Sequence, residues 1–299
     1  MDMVGDNMYD AIIVGGGPAG LTSAIYLRRA NKKVLVLEAN VCGGQIVTAK
    51  SIENYPGYIN ISGYEFAENI KNQALNLGAE IKYETVLRVD EDKKVYTTNN
   101  TYEAKSIIIA VGSKNRKLNI TNEDKFTGKG ISYCATCDGN FYKEKDVAVI
   151  GSGNTAIQDI IYLSDICNHV YGIVRGDSYK GEATELEEVK SRNNVTLIFN
   201  SVVTELIGED TLEKIKINNE KEINVSGVFV AIGQEPNNMM FKNIVDINEK
   251  GYIITSNDVK TNIKGIYVVG DARDKELRQL TTAVSDGAIA AMYAIREME

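Results

Sequence analysis

The chain opens with an apolar run, a glycine cluster and then a helical spacing. Ala11–Val14 is apolar at every position, which fits a strand buried on both faces. Gly15, Gly17 and Gly20 follow, and Leu21, Ala24, Ile25 and Leu27 then recur at the spacing of one helix face. A second apolar run, Val34–Leu37, ends on Glu38. The pattern predicts strand, turn, helix, strand. It returns from Asp146, with a strand to Ile150, then Gly151, Gly153 and Ala156, a helix, and a strand ending near Val174. Two strand-to-glycine returns, 102–113 and 225–237, close the two units. The last stretch, 265–299, predicts a strand, an acid at Asp271 and a small-residue helix from about Leu280. Segments 79–103 and 195–225 read as smaller antiparallel additions, because β-branched residues alternate there with Asn, Asp and Glu turns. Polar stretches 113–119 and 233–238 read as linkers of an inserted domain.

The glycine clusters carry chemistry because of where they stand. A G-x-G-x-x-G between strand and helix lets backbone N–H groups approach a pyrophosphate at the helix N-terminus. An acid at the end of the next strand accepts from a ribose hydroxyl. The first copy has both parts, ending on Glu38. The second has Ala156 at its third position, which the fingerprint tolerates, but Val174 and Arg175 replace the acid. The first copy is therefore an adenosine site, and the second is a similar fold without an assigned ligand.

Composition narrows the partners. At 299 residues, with 43% hydrophobic and 25% charged positions, the chain has room for two globular domains. A formal charge of −8 argues against nucleic acid and against an anionic membrane surface. The apolar runs are too short for a membrane span, and the start, MDMVGDNMYD, has no basic and apolar leader pattern. Four cysteines in a chain of this size do not make a disulfide framework, so a cytoplasmic location is expected. Two of them, Cys134 and Cys137, form a C-x-x-C. Metal clip, structural pair and redox disulfide are all open readings of that spacing.

Six segments in order resemble the low-molecular-weight thioredoxin reductases: Gly15 to Gly20 (GGGPAG), CGGQI at 42–46, ENYPG at 53–57, CATCDG at 134–139, VGDA at 269–272 and RQLTTA at 278–283. The similarity runs from about Tyr9 to Ala294, and CATC followed by Asp is its most specific element. The resemblance implies an α/β fold of two Rossmann-like, three-layer nucleotide-binding domains, the second inserted in the first, with small antiparallel additions. Expected bounds are 1–113 with 243–299 for an FAD-binding domain, and 117–240 for a disulfide-bearing, NAD(P)H-binding-like domain. It also implies a homodimer with one FAD per subunit and thioredoxin as partner. By position, Gly15, Gly17, Pro18, Ala19, Gly20 and Glu38 correspond to adenosine-pyrophosphate contacts. Gly44, Gln45 and Asn54 fall on the flavin side, Gly112 is a further cofactor contact, Asp271 falls at the ribitol, and Arg278, Gln279 and Thr281 in the closing flavin-contact helix.

With the family in view, the C-x-x-C is expected to be redox-active. Structural zinc needs four ligands, and the remaining candidates, Cys42, Cys167 and His169, belong to other segments, so no metal is expected. Disulfide chemistry beside a flavin needs a group that gives and takes a proton. Asp138, fixed next to Cys137 by sequence, is the candidate; a turn residue is the plain alternative. Catalytic residues are thus Cys134, Cys137 and Asp138.

One segment departs from the family. Members that use NADPH read its 2′-phosphate with His-Arg-Arg and a further Arg. Here Val174 replaces the His, Arg175 is kept, Gly176 replaces the second Arg and Lys180 the last. Arg175, Lys180 and Lys190 face Asp177, Glu182, Glu185, Glu187 and Glu188. A subgroup without these arginines takes electrons from reduced ferredoxin, so ferredoxin is the favoured donor. NADPH is the alternative, and a flavin oxidase passing electrons to oxygen or peroxide is a more distant one.

Overall fold

The computed structural model describes residues 8–49, 51–256 and 258–299. Positions 1–7, on which the expectation of a start without a leader rests and which open the expected FAD-binding domain, lie outside the described residues. The chain divides into two compact units, Met1–Lys114 with Glu235–Glu299, and Asn115–Gln234. The α/β expectation holds: each unit is built on a parallel sheet, with smaller antiparallel parts.

The first unit has a seven-stranded sheet. Its path runs Glu80–Tyr83, Val34–Glu38, Met8–Val14, Thr101–Ile109, Lys94–Thr97 and Val86–Val89. Strand Thr101–Ile109 changes partners along its length. Its first half pairs antiparallel with Lys94–Thr97, and Ile107–Ile109 pairs parallel with Ile266–Val268. Ile12, Ile13, Ile107 and Ile108 are fully buried, as their unbroken apolar runs require. Helix Pro18–Arg29 begins with a proline, whose fixed φ suits a first turn and whose missing N–H costs nothing there. It packs against the closing helix, Leu280–Met298, whose Ala290, Ala291 and Ala294 are fully buried. Gly287 is the point of closest approach: Ser23 Oγ donates to its carbonyl at 3.0 Å, and a Cβ there would stand 2.2 Å from the Ala19 carbonyl oxygen.

The second unit has a five-stranded, wholly parallel sheet: Val195–Ile198, His169–Ile173, Asp146–Ile150, Gly227–Val230 and Ile131–Ser132. A three-stranded antiparallel sheet, Val203–Ile207, Lys214–Ile217 and Lys221–Asn224, completes it.

The expected antiparallel additions need one correction in each unit. Glu80–Tyr83 and Val195–Ile198 pair parallel with the main sheets. Each follows a helix, Gly63–Asn76 or Ala183–Ser191, and so ends a crossover that returns the chain in the direction it left.

Gly287→Ala should weaken the packing of the two helices. Alanine gains about 1 kcal/mol of helix propensity, but a carbonyl oxygen at 2.2 Å forces the helices apart. Overpacking of this kind costs about 1–3 kcal/mol. A lower urea midpoint with an unchanged slope is the expected result, and a larger loss for Gly287→Val.

Candidate active site

In the first unit the pieces singled out in the sequence leave the carboxyl ends of neighbouring strands. Gly15 follows Met8–Val14 with φ 109°, and a Cβ on it would lie 2.4 Å from the Ala110 carbonyl oxygen, so only glycine fits. Gly17 caps helix Pro18–Arg29 without any side-chain hydrogen bond, and a Cβ there would meet nothing within 4 Å. Pro18, Ala19 and Gly20 form the first turn, where the N–H groups of Ala19 and Gly20 face outward along the helix axis. Glu38, at the end of its strand, accepts from Gly16 N at 2.8 Å through Oε2 and from Asn40 N at 2.9 Å through Oε1.

Further segments close around this turn. A Cβ on Gly44 would stand 3.6 Å from Gly17 Cα, and Gln45 Nε2 donates to the Ser113 carbonyl, beside Gly112. Asn54 Nδ2 donates to Gln279 Oε1 at 3.4 Å. Gln279 caps the closing helix in a capping box with Thr282, and Thr281 lies in that helix's first turn. Asp271 sits in the short turn Gly270–Ala272 after strand Ile266–Val268. Burial pushes its carboxyl above the ordinary range, with Lys275 and Arg278 pulling the other way. The Arg278 guanidinium lies 4.1 Å from the Tyr252 ring centroid, and its Nε is buried with no hydrogen-bond partner.

These residues fit FAD. A helix start without a side-chain cap and with open space above Gly17 suits a pyrophosphate, Glu38 suits a ribose, and the orphaned Arg278 Nε is a donor awaiting an acceptor.

In the second unit Cys134 and Cys137 are joined as a disulfide, with Cα atoms 5.3 Å apart. Cys134 caps the single helical turn Ala135–Asp138 and Cys137 lies within it, and Ala135 anchors the turn by entering the apolar core beside Ile160 and Leu163. Gly139 is pressed on helix Asn154–Ser164, to which Ile160 and Leu163 belong, since a Cβ would stand 2.8 Å from Tyr162. Cys137 is exposed and Cys134 half-buried, so the pair is not an inert core disulfide. Asp138 Oδ2 accepts from Ser132 Oγ at 2.6 Å. Burial, with the charge of Asp138 added, pushes the Tyr142 hydroxyl up to about 12. Cys42 lies in the first unit and Cys167 in the apolar core of the second; burial raises both thiols, Cys167 to about 11. His169 belongs to its strand, with a ring nitrogen 2.8 Å from Thr196 Oγ1.

The second glycine turn repeats the first. Gly151 has φ 151° and a would-be Cβ 2.3 Å from the Ala231 carbonyl oxygen, and Gly153 caps helix Asn154–Ser164 with open space around it. The neighbouring strand end differs. Val174 is buried in the core, Arg175 and Lys180 are exposed, and Gly176 offers no side chain. Lys180 N donates to the Ser152 carbonyl at 2.7 Å and Glu182 N to Asn154 Oδ1 at 3.0 Å, which holds this loop against the turn.

Sequence reasoning missed the buried polar residues that hold these loops. Asp286 accepts from Gly270 N at 3.0 Å, from Arg273 Nε and Nη2 at 3.0 and 3.2 Å, and from Lys275 Nζ at 2.9 Å. Asn238 donates to the Ala272 carbonyl at 2.6 Å and to Gly251 at 3.0 Å. Glu123 accepts from Leu118 N, Asn119 N and Tyr133 Oη, each at 2.8 Å. An acid at helical spacing among small residues gives no signal of such partners; only the run of cations Arg273, Lys275 and Arg278 hinted at a buried anion.

Two dinucleotide folds, one of them bearing an accessible disulfide, define a disulfide oxidoreductase of the flavoprotein class. Residues 9–287 match the pyridine nucleotide-disulphide oxidoreductase family, and the chain belongs to it. FAD is therefore the cofactor. A Clostridium pasteurianum relative, the 34.2 kDa protein in rubredoxin operon, is 40% identical over 298 residues that cover 97% of each chain. The crystal structure of thioredoxin reductase from Streptococcus pyogenes MGAS5005 shares 37% identity at a TM-score of 0.93, covering 98% of this chain and 99% of that one. A ferredoxin-flavin thioredoxin reductase from Clostridium acetobutylicum shares 31% identity at a TM-score of 0.53, covering 97% and 98%.

Asp286→Ala would leave Arg273 and Lys275 without their anion in a nearly closed site. Breaking a buried pair from one side costs about 3–5 kcal/mol. The expected result is a lower urea midpoint for the apoprotein and less FAD retained per chain after gel filtration. Asp286→Asn, which keeps an acceptor for Gly270 N, should lose less of both.

Proposed function

We propose that the chain is a thioredoxin-disulfide reductase. FAD is held by Met1–Lys114 with Glu235–Glu299, and the output is the Cys134–Cys137 disulfide of Asn115–Gln234. The single observation that carries the reading is this disulfide, in an anchored turn with one exposed cysteine and an acid beside it. Gly15, Gly17, Pro18, Ala19 and Gly20 take the pyrophosphate and Glu38 a ribose. Gly44, Gln45, Asn54, Gly112, Asp271, Arg278, Gln279 and Thr281 surround the rest of the cofactor. FAD, when bound, supplies a redox centre able to take electrons singly or in pairs. Asp138 gives and takes the proton as the disulfide opens and closes. By position in the family, Cys134 is the sulfur that exchanges with thioredoxin and Cys137 the one that takes electrons from the flavin. The family's homodimeric state and cytoplasmic location belong to the same proposal.

Reduced ferredoxin is the proposed electron donor. Of the positions that read a 2′-phosphate, Val174 is turned into the core and Gly176 has no side chain, while five acids follow within the next twelve residues, from Asp177 to Glu188. Losing a charged, forked contact costs about 1.5–3 kcal/mol, or roughly tenfold to a hundredfold in affinity. The 40%-identical relative from a rubredoxin operon adds weight to a one-electron protein donor. A specific observation favours NADPH as the second reading: packing does not demand a glycine at Gly153, and Arg175 and Lys180 are exposed nearby.

An anaerobic titration followed at the flavin absorbance separates the donors. Reduced ferredoxin should bleach the flavin fully and micromolar NADPH should not; complete reduction by NADPH within a second selects the second reading. With ferredoxin as donor, Asp138→Asn should slow thioredoxin reduction by about 10²–10⁴-fold at normal FAD content. A change of twofold or less would leave Asp138 as a turn residue.

A further inference from the structure

We infer that Ser132 is a positioning residue for the proton-transfer step at the disulfide, setting the orientation of the Asp138 carboxylate. The inference rests on the reading of Asp138 as the acid.

Ser132 ends the edge strand Ile131–Ser132, in register with Phe229 of Gly227–Val230, and is buried. Its hydroxyl has one proton and two acceptor sites. Cys134 N donates to Ser132 Oγ at 3.1 Å, which occupies one acceptor site. Asp138 Oδ2 at 2.6 Å and the Cys134 carbonyl at 3.2 Å compete for the proton, and the shorter, charge-assisted contact takes it. One hydroxyl therefore joins the backbone of the first cysteine to the carboxylate that follows the second. The next residue is braced too. Tyr133 Oη donates to the buried Glu123, which also holds the backbone of Leu118 and Asn119.

The chemical consequence is an oriented carboxylate. Opening the disulfide takes an electron pair from the flavin of the holoenzyme. The S–S bond breaks, and with one proton the products are one thiol and one thiolate. Because Ser132 donates to Oδ2, that oxygen is kept as an acceptor, and the carboxylate is held in a fixed orientation relative to Cys134 as it transfers its proton. Re-closing the disulfide on oxidised thioredoxin returns a proton by the same route. Without the hydroxyl, the carboxylate loses the hydrogen bond that ties it to the backbone of Cys134, and its proton is less well aimed.

A four-variant comparison tests this, with thioredoxin turnover measured beside FAD content. Ser132→Ala should lower kcat about tenfold, the order expected for a hydrogen bond to a charged group, with KM for thioredoxin and FAD content unchanged. Ser132→Thr, which keeps the hydroxyl on a strand position suited to a β-branched residue, should restore most of the rate. Adding Ser132→Ala to Asp138→Asn should cost nothing further, because the two act as one unit. If Ser132→Ala does not fold, Ser132→Cys, close in size with a weak donor, carries the same expectation. A Ser132→Ala rate within twofold of wild type, beside a slow Asp138→Asn, overturns the inference and leaves the acid reading standing. A full additional tenfold loss in the double variant, or no rescue by threonine, assigns Ser132 a merely structural role and overturns it as well. A normal rate for Asp138→Asn overturns the acid reading itself.

Discussion

Parallel pairing makes every strand of a sheet finish at the same edge, and the chemistry of this protein depends on that constraint. In the first unit Gly15, Glu38, Gly112 and Asp271 stand at or just beyond the ends of four parallel neighbours. In the second, Cys134, Gly151, Val174 and Ala231 do the same. Residues far apart in sequence thus leave from one edge without any direct interaction to gather them. Ligand sites of open parallel sheets lie at this edge for the same reason. The disulfide segment is a variation on the theme. It extends from the two-residue strand Ile131–Ser132, which ends the order of the five-stranded sheet.

Loops that leave a sheet edge carry backbone groups with no ladder partner, and this protein satisfies them with buried polar side chains. Asp286 takes the amide of Gly270 and two cations. Asn238 takes the Ala272 carbonyl, and Glu123 takes two amides of the connection into the second unit. Each is 4% exposed or less. A buried acid of this kind is costly alone and becomes tolerable only when its donors converge, which ties the loop geometry to the side chain.

The frame was legible because apolar runs and glycines speak through local rules. Ala11–Val14, Val147–Ile150 and the glycines at 15, 17, 151 and 153 need no knowledge of the rest of the chain. The closing helix was readable to its first residue, Leu280, from its small-residue spacing. What was hidden has a non-local cause. Glu80–Tyr83 and Val195–Ile198 are short, and their direction is decided by the helix before them rather than by their own composition. Ser132 looks like any serine beside a motif; its meaning comes from Asp138 six positions on and a strand nearly a hundred positions away. Asp286, Asn238 and Glu123 are likewise defined by partners and not by spacing.

The two glycine turns show which part of a fingerprint belongs to the fold and which to a ligand. Gly15 and Gly151 are both forced by a carbonyl oxygen of the neighbouring return, at 2.4 and 2.3 Å from a would-be Cβ. A parallel strand-to-helix turn needs them whether or not anything binds. Gly17 and Gly153 are not forced, since a side chain at either would meet nothing within 4 Å. Their open space matters only to a group approaching the helix from outside. The first turn has an acid and an orphaned arginine donor in the same unit. The second keeps the open glycine, but its neighbouring strand ends in a buried valine and an exposed arginine. The geometry for a pyrophosphate is therefore present twice, while the groups that select what is attached to it are complete only once.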